Sequence, residues 1–274
     1  MLNTFVQMFS YEFMLRAVIV GVLVALCSAL LGVTLVLKRY SMIGDGLSHV
    51  GFGALCLALA MNVAPLSISV PVVVIAAFLL LRISENSKIK GDAAIAMISS
   101  TALAIGIIVT SMTTGINSDV NGYMFGSILA MSDTDVIVSI VLSVAVLVLY
   151  IVFYNKIFAV TFDESFARAT GTRTGMYNTL IAILTAVTIV IGMRIMGAML
   201  ISSLIIFPAL TSMRICRSFK SVVTVSAVVS VVCFFIGLFI SFAFSMPAGA
   251  SVVAVNAVTF GIFSLAGIIK RKAS

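Results

Sequence analysis

The segment Ser41–Gly53 has the sequence SMIGDGLSHVGFG and contains the only histidine in the 274 residues. Asp45 precedes His49 by four positions, and a helix brings residues at this spacing onto one face. Imidazole nitrogen and carboxylate oxygen are both ligands that divalent transition metals such as zinc and manganese accept. The segment therefore predicts a metal-binding pair on a helix.

A simpler interpretation of this pair stays open. Asp45 would also suit the first turn of a helix as a capping carboxylate, and His49 would suit a hydrogen-bonded position near a helix end. One histidine and one aspartate are too few ligands for a complete metal site. Two copies of the chain related by a two-fold axis would supply two of each, enough for tetrahedral coordination on the axis. The metal interpretation therefore predicts a dimer with the ion path at its interface.

The composition identifies a membrane protein that crosses the bilayer many times. Hydrophobic residues make up 62% of the chain and charged residues 9%, which no soluble core requires. Ionisable side chains within a membrane are costly and usually face a pathway or a partner. The net charge is +7. In a membrane protein an excess of lysine and arginine usually lies in cytoplasmic loops, so we expect no nucleic-acid partner. The four cysteines form no CxxC motif and are predicted to be small buried side chains.

Nine apolar runs follow one another along the chain, and most approach the roughly 20 residues that a helix needs to cross a bilayer. They predict an all-α polytopic membrane protein with about nine transmembrane helices, in a single transmembrane domain over 1–274. Eight is the alternative count, because the second run is short and the turn at Gly192–Arg194 is tight. The runs lie near 14–37, 46–61, 64–81, 93–112, 136–154, 177–192, 195–213, 221–244 and 249–269.

The basic residues predict the orientation. If the spans alternate, most lysines and arginines share one side, which should be cytoplasmic. The N-terminus would then lie outside and the C-terminus inside a bacterial cell membrane, with Asp119 outside and Lys88 inside. Asp119, Asp133 and Asp135 would form an acidic outer mouth that attracts cations, although solvated loop or capping residues explain each of them equally well.

Residues 121–132 (NGYMFGSILAMS) are apolar but too short to cross the membrane. They predict a re-entrant half-helix whose ends are covered by protein, and an interfacial helix at the outer surface is the alternative.

The cytoplasmic stretch 160–175 predicts a short helix that docks on a partner. Thr161 and Glu164 have the spacing of a capping box, and Gly171 is placed to end the helix. Apolar residues at i, i+4 and i+7 form an edge that needs a surface, since so short a helix is marginal alone. A groove on a partner protein fits better than lipid, because the helix carries mixed charge. The residues assigned to this contact are Thr161, Phe162, Asp163, Glu164, Phe166, Ala167, Arg168 and Gly171, with the edge made by Phe162, Phe166 and Ala169.

Four segments together resemble a known family, the permease subunits of bacterial ABC importers for zinc and manganese. They are YSMIGDGLSHVGFG (40–53), MFGSILAMS (124–132), GAMLISSLIIFPAL (197–210) and PAGASVVA (247–254), and the stretch 161–171 is similar to that family's coupling segment. The resemblance covers essentially the whole chain.

The resemblance implies a homodimeric or paired permease that a cytoplasmic ATPase dimer drives. An extracellular metal-binding lipoprotein or periplasmic binding protein would deliver the ion. Asp45 and His49 would line the path, and the helix with Pro208 is placed to line it too, although ordinary packing explains that helix equally well. The chain itself would bind no cofactor, since zinc or manganese would be its cargo.

The sequence therefore favours the permease of an ATP-driven importer for a divalent transition metal, with zinc preferred because of the histidine and manganese or iron as alternatives. A secondary antiporter or channel is a second class, but it would need no docking helix. An intramembrane metalloenzyme is a third class, but it would need more ligands than one histidine offers. We expect ATP hydrolysis in a separate subunit and no catalytic residue in this chain.

Overall fold

The computed structural model describes residues 9–86, 91–113 and 133–273, and these ranges consist of helices joined by turns. The predicted all-helical class is confirmed for this part of the chain. The helices are α1 (Glu12–Leu37), α2 (Ile43–Ala60), α3 (Pro65–Asn86), α4 (Gly91–Met112), α5 (Asp133–Val152), α6 (Tyr154–Phe162), α7 (Glu164–Ala169), α8 (Thr174–Met196), α9 (Ala198–Met213), α10 (Phe219–Phe244) and α11 (Ala248–Ala273).

Within the described residues, seven helices are long and apolar enough to cross a membrane, namely α1, α2, α4, α5, α8, α10 and α11. The apolar parts of α3 and α9 are shorter, Pro65–Leu80 and Ala198–Met213. Each of the nine predicted runs coincides with a helix, but how many of them cross the membrane stays a prediction. The half-helix predicted at 121–132 lies outside the described residues.

Helix α1 packs against α5, α8, α9 and α10. Small residues allow the closest approaches: a methyl group at Gly32 would lie 2.0 Å from the carbonyl oxygen of Ile205, and one at Gly21 would lie 2.2 Å from the ring of Phe234. Such contacts hold membrane helices together by close packing of their backbones. One cluster of buried apolar residues has members on each of the nine long helices of the described structure.

Helix α2, which carries Asp45 and His49, is fixed by the same kind of contact to α4. A methyl group at Gly53 would lie 2.5 Å from the carbonyl oxygen of Ala102, and one at Gly46 would lie 2.4 Å from the side chain of Ile95. These glycines therefore cannot be enlarged without separating the two helices. The contact holds one side of α2 in place, and beside it a narrow uncovered strip of α2 contains the side chains of Asp45 and His49.

The connection between α5 and α8 forms two short helices, and the predicted capping box is wrong. Thr161 belongs to the last turn of α6, where its hydroxyl donates to the carbonyl oxygen of Ile157 at 2.6 Å. Asp163 is the residue that begins α7: its backbone is extended, and its carboxylate accepts from the backbone N–H of Phe166 at 2.9 Å. Aspartate is as good an N-cap as threonine, and here it replaces the predicted one.

The predicted end of the short helix is confirmed. Gly171 has a φ of +83°, a conformation that glycine adopts without a steric penalty. Its N–H donates to the carbonyl of Arg168 at 3.1 Å, and the N–H of Thr172 donates to that of Ala167 at 2.9 Å. This pair of bonds is the Schellman motif, which satisfies the last carbonyls of a helix.

Candidate functional site

Asp45 and His49 lie one turn apart on α2, with His49 Nε2 3.7 Å from Asp45 Oδ2. The predicted common face is therefore confirmed. The His49 side chain is 29% exposed and the Asp45 side chain 42% exposed, although their neighbours Gly44, Leu47 and Ser48 are buried. The two groups are too far apart for a direct hydrogen bond, so the carboxylate and the imidazole both keep free coordination capacity on the uncovered strip of α2.

A third polar group touches this pair, and the sequence did not predict it. Ser202 lies on α9, and its hydroxyl is 3.3 Å from Asp45 Oδ1 and 3.2 Å from the carbonyl oxygen of Ala198. The serine therefore holds one carboxylate oxygen while the other oxygen faces His49. Ser202 lies in the GAMLISSL part of the segment that the resemblance had placed beside the path, but its contact with Asp45 spans 157 residues and no local pattern indicates it.

A single chain does not assemble a complete metal centre in the part of the structure that is described. Over residues 9–86, 91–113 and 133–273 no three His, Cys, Asp or Glu side chains come together. Asp45 and His49 thus offer two protein ligands per chain, with the Ser202 hydroxyl beside them. Zinc ordinarily takes four ligands, or three with a water, so one chain can hold only part of its coordination shell.

The residues assigned to the coupling segment divide between two faces. Ala167 and Thr161 are buried against the membrane helices, whereas Phe162 and Phe166 are 69% and 66% exposed. Ala169 is exposed as well, but Phe162 ends α6 whereas Phe166 and Ala169 belong to α7, so the three residues of the predicted edge are exposed without sharing one helix. Of the remaining assigned residues, Asp163, Arg168 and Gly171 are exposed and Glu164 is half-buried.

Glu164 connects α7 to two long helices. Its Oε2 accepts from Asn178 Nδ2 at 3.3 Å and lies 3.6 Å from Lys38 Nζ, and its Oε1 accepts from Arg168 at 3.1 Å. Partial burial alone would raise the pKa of this carboxyl, but the Asn178 hydrogen bond and the positive charges of Lys38 and Arg168 outweigh it and lower the pKa. Glu164 therefore stays ionised and holds α7 against the ends of α1 and α8.

Three ion pairs lie at the opposite end of the molecule. Arg194 donates to Asp135 at 2.7 Å, with side chains 17% and 10% exposed. Arg16 of α1 pairs with Asp133 at the exposed start of α5, and also with Glu12. Asp135 is thus paired with one arginine, whereas Arg16 is shared by Asp133 and Glu12 and leaves that group with one excess negative charge. The acidic outer mouth predicted from Asp133 and Asp135 stays a prediction. Asp119 lies outside the described residues.

The cysteine prediction is largely confirmed: Cys27, Cys56 and Cys233 are buried, Cys216 is half-buried, and all four are free thiols.

The geometry so far defines a multi-pass membrane protein with a half-open carboxylate–imidazole pair and a short helix exposed at one end. The sequence matches the ABC 3 transport family over residues 10–267, and the chain belongs to that family. It is a metal permease of the ABC transporter class, a transporter and not a catalytic enzyme.

Relatives with different cargo names are equally similar to the chain. It is 29% identical to "Manganese import system permease protein ScaB" of Streptococcus gordonii over 95% of this chain and 94% of that protein. It is also 29% identical to "High-affinity zinc uptake system membrane protein ZnuB" of Haemophilus influenzae, over 91% of this chain and 96% of that one. Among solved structures, "PsaBC from Streptococcus pneumoniae in complex with Fab" matches with a TM-score of 0.85 and 29% identity, covering 95% and 94% of the two chains.

Proposed function

We propose that this chain is the transmembrane subunit of an ATP-driven importer for zinc, and that two copies form the ion path at a two-fold interface. The observation that carries the proposal is the pair Asp45 and His49, 3.7 Å apart on the uncovered strip of α2. In a metal permease, an ionisable pair that its own chain leaves incompletely satisfied is a natural place for the cargo.

A second copy would complete the coordination shell. Two chains related by a two-fold axis contribute two imidazoles and two carboxylates, which is a tetrahedral set that zinc accepts. Ser202 would orient each carboxylate, since its hydroxyl touches Oδ1 and Oδ2 faces His49. Groups that hydrogen-bond a metal ligand in this way fix its orientation and contribute to affinity.

Manganese is the second candidate, and the position of Ser202 is the observation that favours it. The hydroxyl adds a further oxygen beside the carboxylate, and manganese prefers oxygen-rich shells of up to six ligands. The relatives support both cargoes equally, because the named manganese and zinc permeases share the same identity with this chain. Iron is an alternative within the same class of cargo.

The exposed aromatic edge of the short helices supports a cytoplasmic ATPase as partner. Phe162, Phe166 and Ala169 are uncovered, while Ala167 on the other face of α7 is 1% exposed. A helix anchored on one face and apolar on the other is suited to a groove on a partner. The end that carries α7 would be cytoplasmic, with the N-terminus outside and the C-terminus inside a bacterial inner membrane. A binding protein outside the cell would deliver the metal.

The proposed metal pair is tested by uptake into proteoliposomes that contain the permease and its ATPase. Asp45→Ala and His49→Ala should each abolish ATP-driven uptake of zinc, because a two-fold site loses two ligands with each substitution. Asp133→Ala is the matched control, since it removes an exposed carboxylate whose pair with Arg16 stabilises the fold little. Parallel assays with manganese and with iron determine which ion competes best.

Wild-type uptake of every metal by the His49→Ala permease would contradict the site. Loss of uptake in the Asp133→Ala control as well would show that any missing carboxylate has this effect, and would remove the support for Asp45. Manganese uptake that resists a large excess of zinc would replace zinc by manganese as the cargo.

A further inference from the structure

Three separated parts of the chain meet around the carboxylate of Glu164. Lys38 immediately follows α1, Asn178 lies in the first turns of α8, and Glu164 begins α7. Lys38 Nζ donates to Asn178 Oδ1 and lies 3.6 Å from Glu164 Oε2, to which Asn178 Nδ2 also donates. Each of the three side chains thus contacts the other two, and the junction is closed.

The junction is nearly shielded from water on the lysine side. The Lys38 side chain is only 10% exposed, and an ammonium group at this depth requires a negative partner. Glu164 supplies negative charge at this depth, so removal of the carboxylate takes that charge away from a nearly buried cation. The contact is therefore specific for a charged residue at position 164.

The same lysine is connected directly to the metal-pair helix. Five residues, 38–42, join the end of α1 to Ile43, the first residue of α2. This connection is tight: Arg39 has a φ of +63°, Tyr40 N–H donates to the carbonyl of Leu35 at 2.8 Å, and Ile43 N–H donates to the carbonyl of Tyr40 at 3.0 Å. A displacement of Lys38 is therefore transmitted to α2 through a short, hydrogen-bonded connection. Helix α2 begins at Ile43, two residues before Asp45.

We propose that the Lys38–Glu164–Asn178 junction is the mechanical link between the ATPase-facing helix α7 and the metal pair on α2. This inference rests on the proposed docking of α7 on an ATPase. When α7 moves, Glu164 moves with it, and the ion pair makes Lys38 follow. The 38–42 connection then displaces the first turn of α2. Lys38 and Glu164 are then positioning residues for transport, although neither touches the metal.

The test is a double-mutant cycle in proteoliposomes that contain the permease and its ATPase, with zinc ions transported per ATP hydrolysed as the measurement. Glu164→Gln and Lys38→Met each break the pair and should lower this ratio about tenfold, within the range of energetic coupling between two sites. Lys38→Arg keeps the charge and should retain most of the ratio. Lys220→Met is the matched control, because Lys220 is an exposed lysine at the start of α10.

The double variant Lys38→Met/Glu164→Gln distinguishes a link from two separate effects. If the residues act through one another, the double variant should lose about tenfold, like each single variant, whereas independent effects would multiply to about a hundredfold. A hundredfold loss, or a ratio equal to that of the Lys220→Met control, overturns the proposal. The double variant removes both charges of the pair, so it can be measured even if a single variant fails to fold. A wild-type transport ratio in the double variant contradicts the link.

Two further measurements separate this proposal from the docking on which it rests. Retention of the ATPase on purified permease should be unchanged in Glu164→Gln and lost in Phe166→Asp, with Ile215→Asp, an apolar-to-acid change on the loop at the same end, as control. Normal retention in Phe166→Asp contradicts the docking surface. Loss of retention in Glu164→Gln contradicts the link, because Glu164 would then act in docking. Equilibrium zinc binding in detergent should match the wild type in all these variants.

Discussion

An aspartate–arginine pair, Asp135 and Arg194, and an aspartate–histidine pair, Asp45 and His49, both lie on the membrane helices, and their surroundings differ. Asp135 and Arg194 are 2.7 Å apart and almost shielded from solvent, so each satisfies the other within the chain. Asp45 and His49 are 3.7 Å apart and half-exposed, and Oδ1 of Asp45 contacts the hydroxyl of Ser202. A closed pair fixes helix packing, whereas an open pair keeps its lone pairs for a ligand. Geometry within one chain therefore separates a structural charge from a candidate cargo site.

The largest difference between the pairs should appear in stability. Arg194→Ala or Asp135→Ala leaves a buried charge without its partner, which typically costs about 3–5 kcal/mol. We expect the free energy of unfolding in mixed detergent micelles to fall by that order, while zinc affinity of the remaining folded protein is retained. Replacing both residues by leucine should cost much less than either single change. A double variant as unstable as the singles would show that the pair does more than neutralise itself.

An intermediate effect is expected at the serine that contacts the open pair. Ser202→Ala removes the hydroxyl from Asp45 Oδ1, and changes to groups that orient a ligand typically cost about 10–100-fold in metal affinity. Zinc titration by calorimetry measures this loss. Ser202→Thr, which keeps a hydroxyl, should restore most of the affinity. Ser48→Ala is the control, because that hydroxyl donates to the backbone carbonyl of Asp45 and not to its carboxylate. Equal affinities in the wild type and Ser202→Ala would remove Ser202 from the site.

The open pair should contribute little to stability. A half-exposed pair without a direct hydrogen bond contributes within about 1 kcal/mol. Asp45→Ala and His49→Ala should therefore unfold within that margin of the wild type in the absence of metal, in contrast with the Arg194 and Asp135 variants. A strongly destabilised His49→Ala protein would show that Asp45 and His49 stabilise the fold as Asp135 and Arg194 do, and would contradict the distinction between the two pairs.

A contact between two side chains can be predicted from the sequence when the two residues are close together in the chain. The spacing of Asp45 and His49 is local, so a helical period was enough to place them on one face. The Asp45–Ser202 contact, the Asp135–Arg194 pair and the Lys38–Glu164 pair join residues far apart in the chain, and only the packing of the helices brings them together. The sequence shows which of these residues are charged or polar, but it does not show which residues they contact.

The one local error has a local cause. Thr161 and Glu164 match a capping box, but Asp163, the stronger acceptor, lies between them, and α6 continues through Phe162 before the chain turns. The helix-ending glycine was predictable because the left-handed conformation at Gly171 favours that residue over all others. A helix end that requires a special backbone conformation is thus easier to predict from sequence than a helix start at which two side chains compete to accept from the same N–H.

The smallest expected effect concerns acid. The lowered pKa of Glu164 means that its pair with Lys38 stabilises the native state fully above the ordinary glutamate pKa, and that this contribution is lost as pH falls through the lower native pKa. The difference in thermal stability between the wild type and Glu164→Gln should therefore be constant from about pH 7 to 5 and shrink below about 4, near the reference glutamate pKa. A difference that disappears already near pH 6 would contradict this account of the carboxylate.

The most direct test of the central claim is the stoichiometry of zinc bound to purified, metal-free permease without its ATPase. If Asp45 and His49 from two chains share one ion, titration should saturate at one zinc for every two chains, and His49→Ala should abolish this binding. Saturation at one zinc per chain, or unchanged binding by the His49→Ala protein, would contradict a site on the two-fold axis.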